Sequence, residues 1–186
     1  MNLTHFIRCY DGDLEPAQCQ RMIDSFTGLA RFHQPNGRSH RPGLEDSAWT
    51  EINVTRLSEP ALQAYFRRRI SLALDRYNAD IGLEPIPVPD SPQTADLILK
   101  RYRPGAGERF QVHFDSVHEV ASRYLVFLWY LNDVAEGGET DFPQLGVRIA
   151  ARQGRLLVFP PYWMFQHAGL EPVSGDKYIL STYLLF

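Results

Sequence analysis

The sequence predicts an α+β protein that is mainly β, with two helices supporting a barrel or sandwich of short strands. Two observations predict it. After Asp96, short β-type runs follow one another as LILKRY, RFQVHF, RYLVFLWYL, VRIAA, RLLVFP and KYILSTYLLF, with turn chemistry between them in RPGAG, NDVAEGGET and PVSGD. Before Asp96, two segments carry apolar residues at helical spacing behind helix-start residues. A length of 186 residues with 44% hydrophobic and 22% charged content suits one soluble folded domain spanning 1–186. Residues 1–95 then read as helical support with a rim loop, and residues 96–186 as the β core.

The elements follow in chain order. Phe6 to Tyr10 is a short apolar strand candidate. Asp13 offers an N-cap and Pro16 a first-turn proline, and Cys19, Met22, Ile23 and Phe26 then share one helical face. His33 to Ser47, rich in Pro, Gly, Asn and Ser, reads as a loop long enough to be a lid or a rim. Glu51 to Leu57 alternates like a strand. Ser58 caps a second helix with Pro60 in its first turn, burying Leu62, Phe66, Ile70, Leu74 and Tyr77 and turning Arg67, Arg68 and Arg69 toward water. Gly82 to Gln93, with Pro85, Pro87, Pro89 and Pro92, reads as an extended connector.

Bulk properties exclude several functions. A net charge of −3 argues against non-specific nucleic-acid binding, so no nucleic-acid partner is expected. The opening MNLTHFIRCYDGD lacks the pattern of a secretory signal, and no apolar run is long enough for a membrane span, so no membrane partner is expected. Cys9 and Cys19 match no zinc spacing and read as reduced thiols, which makes the chain cytoplasmic by expectation. Only Lys100 and Lys177 are lysines.

Chemistry concentrates in the β region. His113 and Asp115 form an H-x-D pair in RFQVHFDS, and two positions apart on a strand their side chains leave the same face. His167, from a later strand, supplies a second imidazole. Two imidazoles and one carboxylate make the facial set whose open positions suit non-haem iron(II). Such an ion keeps three sites, two for a chelating 2-oxo acid and one for dioxygen. The far carboxylate of 2-oxoglutarate would then enter an apolar barrel, where leaving it unpaired costs several kcal/mol. Lys177, ten residues after His167, is placed to meet it, although GDK also starts strands at the surface.

From Leu97 to Phe186 the chain resembles the prolyl 4-hydroxylase branch of the 2-oxoglutarate/iron(II) dioxygenases. The resemblance is carried by YRPG from Tyr102, HFD from His113 and YLNDVAEGGETDFP from Tyr130. It continues in GRLLVFP from Gly154, HAGLEPVSGDKY from His167 and the closing STYLLF. It implies a double-stranded β-helix (jelly-roll) core with supporting N-terminal helices. It also implies iron(II) held by His113, Asp115 and His167, and 2-oxoglutarate held by Lys177 with Tyr102 and Thr140 as hydrogen-bond donors. Tyr102 also reads as a core tyrosine, and Thr140 as a turn residue after Gly137 and Gly138. Iron(II), 2-oxoglutarate and dioxygen are the implied cofactor and cosubstrates, with ascorbate a further candidate.

The implied reaction hydroxylates an unactivated C–H bond while 2-oxoglutarate becomes succinate and carbon dioxide. A prolyl or other amino-acid residue in a peptide or protein is the expected substrate, with a free amino acid or other small molecule as the alternative. His33, Arg38, His40 and Arg41 could grip a substrate carboxylate or stay solvated. Arg123 and Trp163 are candidates for the mouth, and His118 stays outside the metal shell. Two rival classes remain: a catalytically silent cupin-like barrel that binds metal or ligand, and a zinc hydrolase on the same three ligands. The hydrolase lacks an obvious general base and leaves Lys177 without a role.

Overall fold

A computed structural model describes residues 2–82 and 93–186. Of the proline-rich connector expected from Gly82 to Gln93, residues 83–92 lie outside the described residues. The strands in chain order are β1 (Arg8–Tyr10), β2 (Gln34–Gly37), β3 (Ala48–Asn53), β4 (Gln93–Thr94), β5 (Ile98–Tyr102), β6 (Phe110–His113), β7 (Arg123–Tyr130), β8 (Thr140–Phe142), β9 (Val147–Ile149), β10 (Leu156–Phe159), β11 (His167–Gly169) and β12 (Lys177–Leu185). The helices are α1 (Pro16–Gly28), the single turn α2 (Val54–Leu57) and α3 (Pro60–Ile81).

Two antiparallel sheets face each other. The larger runs β1-β10-β7-β12-β5-β3-β2, with β4 on the end of β12, and the smaller runs β6-β11-β8-β9. The chain crosses between sheets from β5 to β6, β6 to β7, β7 to β8, β9 to β10, β10 to β11 and β11 to β12. That alternation is the jelly roll, and it places the start of β11 beside the end of β6.

The apolar runs are continuous because the large sheet is covered on both faces. Along β7, Leu125, Phe127 and Trp129 pack with Phe26 of α1 and Phe66, Ile70 and Tyr77 of α3. The alternate residues Val126, Leu128 and Tyr130 point between the sheets with Phe142, Leu157, Phe159 and Ile179. Outer positions carry the helix layer, and inner positions line the barrel.

Several expectations need correction. The cap of α1 is Glu15, whose N–H donates to Gln18 Oε1 at 2.9 Å, and that of α3 is Glu59, with Pro16 and Pro60 in the first turns. Asp13 instead accepts from Trp129 Nε1 at 2.7 Å and lies 3.6 Å from Arg69, tying the α1 entry to the core. The 33–47 loop hides β2. Pro35 is tolerated there because β2 is an edge strand, and Gly37 has φ +93° in close contact with the Ser47 carbonyl, where no Cβ fits. The strand expected at 51–57 starts earlier, at Ala48, and stops at Asn53. Asn53 Oδ1 accepts from Arg56 N at 3.0 Å and turns Val54–Leu57 into helix. The short strands β4 and β8 escaped the sequence reading because two or three residues carry no periodicity, whereas β11 was expected as the later strand of His167.

Arg67 and Arg68 face water as expected. Among the described residues, no helix is long and apolar enough to cross a membrane. Cys9 is exposed and Cys19 buried, and both are free.

Candidate active site

The inner face of the barrel holds a cavity enclosing about 460 Å³, open mouth included, lined by His113, Asp115, His167, Tyr102, Thr140 and Lys177 among others. All six residues expected at the site therefore meet in one place.

His113 ends β6 and His167 begins β11, and the two are direct cross-strand partners. Their ring centroids lie 4.3 Å apart. Each ring is held through Nδ1, His113 by the Gln111 carbonyl at 2.8 Å and His167 by the Phe165 carbonyl at 3.0 Å. A carbonyl only accepts, so each Nδ1 carries a proton and each Nε2 is turned inward as the candidate ligand atom. Both Nε2 atoms point at Asp115, 3.5 Å from Oδ1 for His113 and 3.4 Å from Oδ2 for His167. Ligand atoms of the three residues all fall within 4.8 Å of one another, close enough to share one ion.

Asp115 does not reach this position by strand geometry. β6 stops at His113, and Asp115 is placed by its N–H donating to the Pro161 carbonyl at 2.9 Å. Tyr183 OH donates to Asp115 Oδ1 at 3.0 Å, and Arg123 Nη1 donates to the Asp115 carbonyl at 3.1 Å. Burial by itself would raise the Asp115 carboxyl. The His167 and His113 rings and the Arg123 guanidinium outweigh it, holding the group well below the usual carboxylate range. Burial pushes His167 down to about 4, with His113 adding to the fall and Asp115 opposing it. A neutral His167 beside an ionised carboxylate is the protonation state a metal requires.

The other end of the cavity is set by β12. Lys177 is only 2% exposed and pairs in register with Tyr102. Its Nζ lies 5.4 Å from the Tyr102 ring centroid and 5.8 Å from that of Tyr130, with no carboxylate within 4 Å among the described residues. Burial pushes this ammonium down to about 7, with Glu139 partly opposing the fall. A Cβ placed on Gly169 would sit 3.8 Å from the Lys177 Nζ. Gly169 is two residues beyond His167 on the same face of β11, so the ammonium stands about 6–7 Å along the strand from that ligand position. Thr140 Oγ1 accepts from Tyr130 OH at 2.6 Å, which leaves its own proton free to donate into the cavity.

The rim differs from expectation in part. His33 turns away, stacking on Phe26 with ring centroids 4.0 Å apart. Arg38 donates to the Gly107 carbonyl at 2.9 Å, and Gln111 Nε2 donates to the Gly43 carbonyl at 2.9 Å, so the 38–47 segment is strapped to the β6 side. His40 and Arg41 are exposed, and so is His118, apart from the ligand cluster. Trp163 is 66% exposed, whereas Arg123 lies against Asp115 and over the Tyr183 ring. Sequence reasoning missed Tyr183 and Lys100, which also line the cavity. A signal existed: Tyr183 lies six residues from Lys177 on β12 and Lys100 two from Tyr102 on β5, so both share the inner face.

A jelly roll with two imidazoles and a carboxylate converging in its mouth defines a barrel with one metal-sized site. Residues 97–185 match the model of the 2OG-Fe(II) oxygenase superfamily. That segment is similar to this superfamily, and the curated relatives the chain is similar to are prolyl 4-hydroxylases. Mouse prolyl 4-hydroxylase subunit alpha-1 is 22% identical over 96% of this chain and 39% of its own length. A probable prolyl 4-hydroxylase 11 from Arabidopsis thaliana is 33% identical over 42% of this chain and 30% of its own. This chain thus spans less than two-fifths of either curated relative.

Solved structures share the fold. A viral collagen prolyl hydroxylase from Paramecium Bursaria Chlorella virus-1, in its 2OG complex, superposes with a TM-score of 0.67 at 22% identity, covering 97% of this chain and 95% of that one. A Pseudomonas putida prolyl-4-hydroxylase gives 0.66 at 17% identity, covering 98% and 93%. A Trichoplax adhaerens prolyl hydroxylase, bound to a hypoxia inducible factor peptide fragment, gives 0.70 at 15% identity, covering 98% and 84%.

Proposed function

We propose that this chain is an iron(II)- and 2-oxoglutarate-dependent dioxygenase that hydroxylates an unactivated C–H bond. The observation that carries the reading is the pairing of two groups in one cavity. Two carbonyl-fixed imidazoles aim at an ionised carboxylate, and a buried ammonium without a carboxylate partner waits one strand repeat away. The donor set fits iron(II): two imidazole nitrogens and one oxygen, with the remaining sites facing open cavity. In this reading His113, Asp115 and His167 hold the metal. Lys177 receives the remote carboxylate of 2-oxoglutarate, with Tyr102 and Thr140 as donors beside it.

When bound, the iron supplies oxygen activation coupled to conversion of 2-oxoglutarate to succinate and carbon dioxide, with one oxygen atom delivered to the substrate carbon. The protein's own residues do geometric work. Gln111 and Phe165 carbonyls fix the tautomers, Tyr183 and Arg123 hold the carboxylate, and Phe110, Phe142 and Phe159 wall the site against bulk water. Burial raises the Tyr102 phenol well above its ordinary range, which keeps it protonated and able to donate.

For the substrate, we infer an amino-acid residue, prolyl or other, in a peptide or protein; the prolyl 4-hydroxylase relatives support this. A free amino acid or other small acid is the second reading, favoured by the additional cation in the cavity, Lys100. We also propose that residues 1–186 work as one unit, with 1–95 supporting the 96–186 core, and that it acts in the cytoplasm, which the two free thiols support.

The test is succinate formation from 2-oxoglutarate under air with iron(II) and ascorbate, for the wild type and His167→Ala, across a panel of peptides and amino acids. Succinate from the wild type alone supports the oxygenase. Metal binding without succinate from any panel member would leave only the silent barrel.

A further inference from the structure

The chain has two lysines, and both line the same cavity. One is assigned above. Lys100 lies on β5, two residues before Tyr102 and on the same inner face, paired in register with Ile179. Its Nζ sits 5.4 Å from the Trp49 ring centroid and 5.6 Å from that of Phe110. Those rings continue into the metal-ligand position, since Trp49 stacks on Phe110 at 4.6 Å and Phe110 on His113 at 3.8 Å. The ammonium is thus held over the aromatic wall that backs His113.

The carboxylates around it are already engaged. Glu51 is its cross-strand neighbour on β3. Yet Glu51 Oε1 accepts from Asn36 Nδ2 at 2.9 Å and Oε2 from Trp49 Nε1 at 2.5 Å. Asp115 accepts from Tyr183 and faces both imidazoles. No carboxylate lies within 4 Å of the Lys100 ammonium among the described residues. Burial pushes this group down, Glu51 and Asp115 oppose the fall, and Arg123 and Arg41 add to it. This side of the cavity therefore holds cationic donors in excess, and an ammonium with free donors is costly to desolvate unless an anion comes to it. A single molecule of 2-oxoglutarate, anchored at Lys177 and at the metal, has no third carboxylate to offer.

We propose that Lys100 binds a carboxylate carried by the primary substrate, with Arg123 beside Asp115 and Tyr183 adding to the attraction, so that the C–H bond attacked lies close to that acid group. The proposal rests on the oxygenase reading and narrows its substrate. The carboxylate has two sources, the α-carboxylate of a free amino acid or the side chain of an Asp or Glu residue in a peptide.

The experiment uses the full chain loaded with zinc(II) in place of iron and with 2-oxoglutarate, so that no turnover occurs. Binding is read by ligand-observed saturation-transfer NMR. The probes are the free L-amino acids, each beside its carboxamide, and short capped peptides containing Asp or Glu, each beside its Asn or Gln counterpart. At least one acid is expected to bind about tenfold or more tightly than its amide, the range of a hydrogen bond to a charged group. In Lys100→Met, and in Lys100→Gln should the first variant fold poorly, that acid falls to the level of the amide.

Preference among free acids alone assigns the free amino acid, and preference among the peptides assigns the acidic side chain. Equal binding of acid and amide, a preference that survives in the variants, or binding by no acid at all overturns the proposal. So does a fall in 2-oxoglutarate affinity in the variants, which would give Lys100 to the cosubstrate. Failure of the oxygenase reading is seen separately, by calorimetry, as absence of 2-oxoglutarate binding to the zinc-loaded wild type.

Discussion

The two faces of the large sheet are made by the same strands and do opposite work. On the outer face, Leu99, Phe127, Trp129, Val158 and Leu180 pack against α1 and α3, and the surroundings are apolar apart from bonded tips such as the Trp129 indole. On the inner face, the alternate positions of β5 and β12 place Lys100, Tyr102, Lys177, Ser181 and Tyr183 around a cavity. A period of two separates stability from chemistry along one chain, one residue apart. The outer face buries charge only in parts of guanidinium groups, as at Arg69 and Arg101, whereas the inner face holds two ammonium groups whose burial is costly until ligands arrive. The comparison yields tests in which one face loses function without stability and the other loses stability first.

The largest effect is expected from His167→Ala. Succinate formation should fall by about a thousandfold, the several kcal/mol that a bound metal contributes to a transition state. The thermal midpoint without metal should move by only a few degrees. A collapse of the midpoint would break the division of labour between the faces. Phe127→Ala, on the outer face, should cost about 3–5 kcal/mol, as core aromatic truncations do, seen as a lower denaturant midpoint. Metal affinity per folded molecule should stay the same.

Lys177→Met should weaken 2-oxoglutarate binding about 10–100-fold, the loss of a hydrogen-bonded charge partner, measured by calorimetry on the zinc-loaded protein. The same group predicts two opposite pH trends. Its folded value, near 7, lies below the ordinary 10.5 of a lysine, so between those values the unfolded chain binds more protons. Stability of the ligand-free wild type should therefore gain from this group as pH rises through that window, and Lys177→Met should remove the gain. Affinity for 2-oxoglutarate should fall as pH rises above about 7, because the neutral amine no longer meets the carboxylate. An affinity flat from pH 6 to 9 would contradict the assigned role.

The smallest effect sharpens the rim. Tyr183→Phe removes the hydrogen bond to Asp115 and should lower metal affinity about tenfold, the lower end for loss of a group that supports a ligand, read by competition with a chelator. Folding should be unchanged.

The sequence made legible whatever depends on residue type and local period. The H-x-D pair, His167 ten residues before Lys177, and the runs RYLVFLWYL and KYILSTYLLF pointed to a β core with this donor set. Strands β4 and β8 stayed hidden, as did β2 inside a loop-like QPNG, because their pairing is supplied by neighbours distant in sequence. Asp115 was expected to share a strand face with His113. It reaches the site through the Pro161 carbonyl instead, a contact across 46 positions that no local pattern reports. Lys100 stood out in composition as one of two lysines, but nothing local tells whether such a lysine faces water or a cavity.

By itself, then, the sequence determined the chemical inventory: two imidazoles, a carboxylate, an ammonium group and the alternation that turns side chains to one face or the other. Tertiary structure decided which of these groups meet and what each becomes on meeting. The register of His113 against His167 sets the convergence, and burial sets the protonation of His167 and Lys177. The physical reason is that alternation along a strand is a local property of the backbone, whereas ligand geometry and desolvation depend on strands brought together only when the barrel closes.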